Sequence, residues 1–192
     1  GMAAEILADG TAAVAFSVED GINSSDIYYT VANTAAEDPE DDAKAVRATT
    51  NSYTDENPQL TTVGDRFVLG WSSVQSLTGA EQHDVGLWVF DKNGAPQPIL
   101  PESLSDMVST AAFDGQFTFV KGADTLDELS ILWNDANAGA EENDVVRAIK
   151  FVPYDGSYIS SAAIEVAELP DRTGLDHMDA HVANGDGTGI HA

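Results

Sequence analysis

NPQLTTVGDRFVLGW, residues 57–71, sets two short apolar runs, LTTV and RFVLGW, on either side of Gly64-Asp65. β-Branched and aromatic residues suit a pleated, partly buried surface, and a glycine-containing pair between two such runs is hairpin chemistry. The stretch therefore reads as a first strand, a tight turn and a second strand that closes on Trp71. Working outward, the same closing pattern appears three more times, as TAAVAF ending at Phe16, LSILW ending at Trp133 and GTGIH ending at His191. The separations are 71 − 16 = 55, 133 − 71 = 62 and 191 − 133 = 58. A second landmark keeps nearly the same period. Asp26 opens IYYTV, Asp84 opens VGLWVF and Asp144 opens VVRAIKF, with separations 84 − 26 = 58 and 144 − 84 = 60. Two landmarks at one period mark a repeated structural unit.

Each unit has the same internal order. A first strand (AAEILADG, NPQLTTVGD, FTFVKGAD, MDAHVANGDG) runs into a turn, and a second strand ends on the aromatic position. A polar loop follows, then a third strand headed by Asp, then a fourth strand after turns such as DKNG at 91–94 or YDGS at 154–157. Four antiparallel strands per unit is the layout of a β-propeller blade. The expected fold is all-β, with about three and a half four-stranded blades in one region, 1–192: blade one 3–54, blade two 55–106, blade three 107–170 and half blade four 171–192. Propellers close with about four to eight blades. A single chain of this count is expected to form an incomplete ring whose terminal edges need cover. Self-association is the first expectation; the rest of a longer protein or an open twisted array are the others.

Asn57, Pro58 and Gln59 together with Trp71 resemble the NPQ-type blades of large bacterial surface proteins, in which Asn-Pro-Gln opens the innermost strand and a Trp closes the second. Unit two carries the whole motif, unit three keeps Trp133 without NPQ, and unit four has His191 in place of the Trp. The resemblance implies a propeller fold and an extracellular or cell-surface setting. A propeller fold by itself fixes no function.

Charge narrows the partners. Eight Lys and Arg stand against 33 Asp and Glu, a formal net charge of −25. Such a chain repels phosphate backbones, so no nucleic-acid partner is expected. No apolar run reaches the roughly 18 residues of a membrane-spanning helix. The opening GMAAEILADG has neither the basic nor the long apolar region of an export signal, and there is no cysteine for a disulfide or a thiolate metal site.

Candidate sites are few. On a strand, His177, Asp179 and His181 share one face, a donor set that suits zinc. Asp186 in NGDGTG and the acidic run EDPEDD at 37–42 are the calcium candidates, although neither has EF-hand spacing. The segment lacks the HExxH pattern of metalloproteases. The recurrence of Asp26, Asp84 and Asp144 at equivalent places argues for a role at the head of the third strand and against a catalytic carboxylate pair, whose members need one location and different environments. There is no Gly-x-Ser-x-Gly elbow and no phosphate loop. Trp71, Trp88 and Trp133 read as packing residues ahead of sugar platforms. The functional expectation is a non-enzymatic interaction or scaffold module of a surface or secreted bacterial protein. It would present the acidic loops 17–25, 72–83 and 134–143 to a protein, glycan or cation. The alternative is part of a propeller-type carbohydrate-active enzyme, its active centre completed by further blades.

Overall fold

The structure is a computed structural model and describes residues 1–21, 24–33, 44–77, 80–97, 113–121, 129–135, 145–154, 157–160 and 164–168. These are all-β. Among the described residues there is no helix and no closed barrel or propeller ring.

Unit one comprises β1 (Met2–Ile6), β2 (Thr11–Glu19), β3 (Ser25–Asn33) and the short β4 (Val46–Arg47), each antiparallel to the one before. Unit two repeats the order with β5 (Thr54–Val63), β6 (Arg66–Leu77), β7 (Ala80–Asp91) and β8 (Pro96–Gln97). A single parallel pair, Ser25 with Thr54, joins the two meanders into one eight-stranded sheet. Unit three holds β9 (Phe113–Lys121), β10 (Leu129–Asp135), β11 (Val145–Tyr154), β12 (Ser157–Ser160) and β13 (Ile164–Glu168). Its fourth-strand position is split: β12 pairs with residues 151–154 of β11, and β13 with residues 145–148.

Turn chemistry sets the hairpins. Val63 pairs with Arg66 across Gly64-Asp65, and Gly64 has φ 59°, the positive value a type II′ turn places at its first central residue. In the DKNG turn the Asp91 carboxylate accepts the backbone N–H groups of Asn93 (2.8 Å) and Ala95 (2.9 Å). Asp9 does the same for Thr11 N–H at 3.0 Å, and that bond holds its carboxyl below the usual carboxylate range.

Layering follows from which faces are apolar. In β6 and β7, Phe67, Leu69, Trp71 and Phe90 pack against Ala13, Ala15, Ile27 and Tyr29 of unit one. The alternate residues Val68, Val85, Leu87 and Val89 pack with Phe117, Leu129, Ile131 and Trp133 of unit three. The β6–β7 part of the eight-stranded sheet is thus buried on both faces. That is why RFVLGW and VGLWVF are continuous apolar runs, whereas β2 alternates. Each fully buried side chain of this kind contributes roughly 1.5–3 kcal/mol of hydrophobic stabilisation.

The two sequence landmarks are in register with each other. Val18 faces Asp26 and Ser73 faces Asp84, each two residues beyond its aromatic, Phe16 or Trp71. Unit three departs from this. Asp135, two beyond Trp133, faces Val145, so Val145 holds the position that Asp26 and Asp84 hold; Asp144 lies outside the described residues. One expectation is corrected outright. Residues 72–77 and 80–83 are not a loop: β6 and β7 stay paired out to Leu77 with Ala80, forming a long hairpin arm. The connection expected at 17–25 shortens to Asp20–Ser24, closed by Asp20 N–H on the Ser24 carbonyl at 3.0 Å.

Candidate functional site

β5 begins at Thr54, three residues ahead of Asn57, and those residues carry the most distinctive polar chemistry among the described residues. Asp55 is fully buried. Its Oδ1 accepts the Trp71 indole N–H at 3.2 Å and the Ser73 hydroxyl at 2.6 Å, and its backbone carbonyl accepts the Ser25 hydroxyl at 2.8 Å. Its Oδ2 has no hydrogen-bond partner among the described residues. Nothing about this carboxylate was signalled by spacing or recurrence. The available clue was a charged residue placed two positions before Asn57, in a segment otherwise read as the lead-in to a strand.

Asn57 and Pro58 form a β-bulge. Glu56 pairs with Ser72 and Gln59 with Gly70, which leaves two residues opposite Trp71 alone. Asn57 has φ 51°, a left-handed conformation that Asn tolerates better than most residues. Beyond the bulge, Gln59 Nε2 donates to the Phe117 carbonyl of β9 at 2.6 Å. The indole of Trp71 itself lies against Gly86, its cross-strand partner; a Cβ at that position would overlap the ring. The motif read from sequence as Asn-Pro-Gln plus Trp is therefore one physical object. The buried carboxylate holds the indole in place within unit two, the indole and the Asp55 backbone carbonyl meet unit one, and the glutamine ties unit two to unit three.

Asp26, one residue after Ser25, is also buried, with a different solution. It is ion-paired to Arg47 of β4 and accepts the Thr49 hydroxyl at 3.0 Å, and Thr49 Oγ1 in turn accepts Ile27 N–H at 2.9 Å. Arg47 also reaches Asp20 at 2.9 Å and lies 6.0 Å from the centre of the Tyr28 ring. The Asp26 hydrogen bond raises the guanidinium pKa further above its ordinary value. Asp26 thus fastens β4 to the head of β3, a structural role. Asp84 accepts the N–H of Val85 at 2.7 Å.

The first strands of all three units converge. Lys121 of β9 reaches Glu5 of β1 at 3.3 Å and Thr62 of β5 at 2.8 Å. The hairpin tips also share an end of the stack, because Ser25 pairs with Thr54 and Thr54 with Val74, which puts the ends of β2 and β6 on one side. Exposed Glu19 and Asp20 stand there.

His177, Asp179, His181, Asp186 and the run 37–42 lie outside the described residues. Among the described residues no three His, Asp or Glu side chains form a metal-holding group, and no helix is long and apolar enough to cross a membrane. No protein-family model and no curated protein matches this chain.

Proposed function

We propose that the chain is a propeller-type array of four-stranded units acting as a non-enzymatic interaction or scaffold module of a bacterial surface or secreted protein. The observation that carries this reading is the convergence of β1, β5 and β9, with Lys121 bridging Glu5 and Thr62. Blades around an axis bring their first strands together in this way. A glycosidase would gather free carboxylates there, whereas Glu5 is engaged by a lysine. Rigid stacked sheets then hold the β2–β3 and β6–β7 tips at one end, where recognition loops are usually placed on such scaffolds. Glu19 and Asp20 at the β2–β3 tip suit a basic protein surface, a glycan or a cation.

Screening a glycan library for both capture and hydrolysis, alongside a panel of basic peptides, tests this. Binding without turnover is expected, reduced at least tenfold by replacing Glu19 and Asp20 with Ser. Turnover of any glycan sinks the scaffold reading and restores the carbohydrate-active alternative.

A further inference from the structure

The DKNG turn between β7 and β8 carries a reactive pair. Asn93 is followed by Gly94, which has no side chain to hinder its backbone nitrogen from attacking the Asn93 side-chain amide. That amide is open to water: Asn93 is exposed, and its side chain has no hydrogen-bond partner among the described residues. The nucleophile is held back. Gly94 N–H donates to the Asp91 carbonyl at 2.9 Å, Asp91 N–H donates to the Ala95 carbonyl at 3.0 Å, and Gly94 has φ 76°. This is a type I turn closed by a left-handed glycine, in which Asn93 takes a ψ of about 0°. To reach Cγ of Asn93, the Gly94 nitrogen must leave its acceptor and swing round. Part of what resists that swing comes from unit one. Tyr29 O–H donates to the Gly94 carbonyl at 3.0 Å, Lys92 Nζ lies 3.5 Å from Asp9, and Val31 lies beside Gly94, 3.6 Å from where a Cβ would stand.

We propose that Asn93 is a site of spontaneous deamidation gated by unit one's grip on the turn, so that modification proceeds when the seam between units one and two opens locally. In the step, the Gly94 nitrogen gives its proton to solvent base and bonds to Cγ of Asn93. The Cγ–Nδ2 bond breaks, ammonia leaves with a proton from water, and a cyclic imide remains. Water then opens the imide at either carbonyl, giving aspartate or its β-linked isomer; no oxidant or cofactor is consumed. Either product places a new carboxylate beside Asp91 in a chain already at −25. The isomer also lengthens the main chain by a carbon, which displaces Gly94 from Tyr29. The mark therefore works against closure of the seam that had delayed it.

The inference involves no ligand, so a failed glycan or peptide screen leaves it standing. Incubating the full chain in mildly alkaline buffer, with and without urea, and following the Asn93 peptide by mass spectrometry tests it. Burial keeps the Tyr29 phenol protonated there, so its grip is intact. Peptide mapping separates this site from Asn184-Gly185, the chain's other Asn-Gly pair, which lies outside the described residues. Modification of a gated site follows the population of the open form, so the native rate should be at least tenfold below the rate in urea. Tyr29→Phe, which keeps the ring and removes the grip, should raise the native rate at least threefold. Asn57→Val, which weakens β5 away from the turn, should raise it less than Tyr29→Phe does. Equal rates with and without urea overturn the proposal. So does an unchanged rate in Tyr29→Phe, or acceleration by Asn57→Val as large as that by Tyr29→Phe, which would make global unfolding the route.

Discussion

Trp71 shows how tightly one side chain can be specified here. Its ring needs Gly86 beneath it, the Asn57–Pro58 bulge beside it and the Asp55 carboxylate at its N–H. Gly86→Ala forces the ring off its seat, an overpacking cost of about 1–3 kcal/mol. Trp71→Ala leaves a cavity, at about 3–5 kcal/mol, and strands Asp55 with one donor fewer. The two changes act on one contact, so the double variant should fall short of the sum by at least about 1 kcal/mol in urea unfolding. Additive costs would show that the indole does not rest on Gly86. Tyr29 offers a pH handle. Burial pushes its phenol above the ordinary value of 10.0, and its hydroxyl donates to the Gly94 carbonyl at 3.0 Å. The folded state therefore keeps a proton that the unfolded chain loses. Stability from this residue is complete below about pH 10 and drains away as pH rises through the folded-state pKa. Tyr29→Phe should flatten the alkaline limb of stability against pH while costing about 1 kcal/mol at pH 7. An unchanged alkaline limb would count against the buried phenol.

Strands that bury apolar side chains on both faces announce themselves, and polar stretches of strand do not. RFVLGW and VGLWVF could be read directly because their apolar side chains pack on unit one on one face and on unit three on the other. SSVQSL, in the outer half of β6, reads as a loop because Ser72, Ser73, Gln75 and Ser76 outnumber its apolar residues, yet its backbone stays paired to β7 out to Leu77. Hairpin hydrogen bonds need no apolar side chain, and that is where sequence reasoning lost the β6–β7 arm. The repeat landmarks were legible for units one and two, where aromatic and Asp stay in register. In unit three a one-residue offset puts Val145 in the Asp position, a shift that period counting cannot resolve but side-chain alternation makes consequential. The bulge was half legible: Asn-Pro marked the place, while the left-handed φ of Asn57 and the burial of Asp55 before it depend on the fold around them and leave no mark in the sequence. At the bulge, Asn57→Gly should be neutral or slightly stabilising, whereas Asn57→Val should cost about 1–2 kcal/mol because a β-branched residue resists that conformation. Equal midpoints for the two variants in chemical denaturation would contradict the bulge geometry.

Across the whole molecule, charge opposes compaction. Thirty-three acidic residues against eight basic ones leave the folded chain repelling itself, while the cations Arg47, Lys92 and Lys121 are already engaged by Asp26, Asp9 and Glu5. Added salt screens the repulsion over distances beyond about 10 Å at 0.1 M. Thermal stability should therefore rise by several degrees between low salt and about 0.5 M NaCl. A fall in melting temperature would mean that the ion pairs outweigh the net charge. The same scale gives the tryptophans a use. Trp71 and Trp88 sit in the layer between units one and two, and Trp133 in the layer between units two and three. The chain's three indoles thus form two separate optical probes, one per layer. A variant with Phe at 71 and 88 emits only from the second layer, and one with Phe at 133 only from the first. Comparing their red shifts during unfolding tells which pair of sheets parts first, or whether the stack comes apart as one.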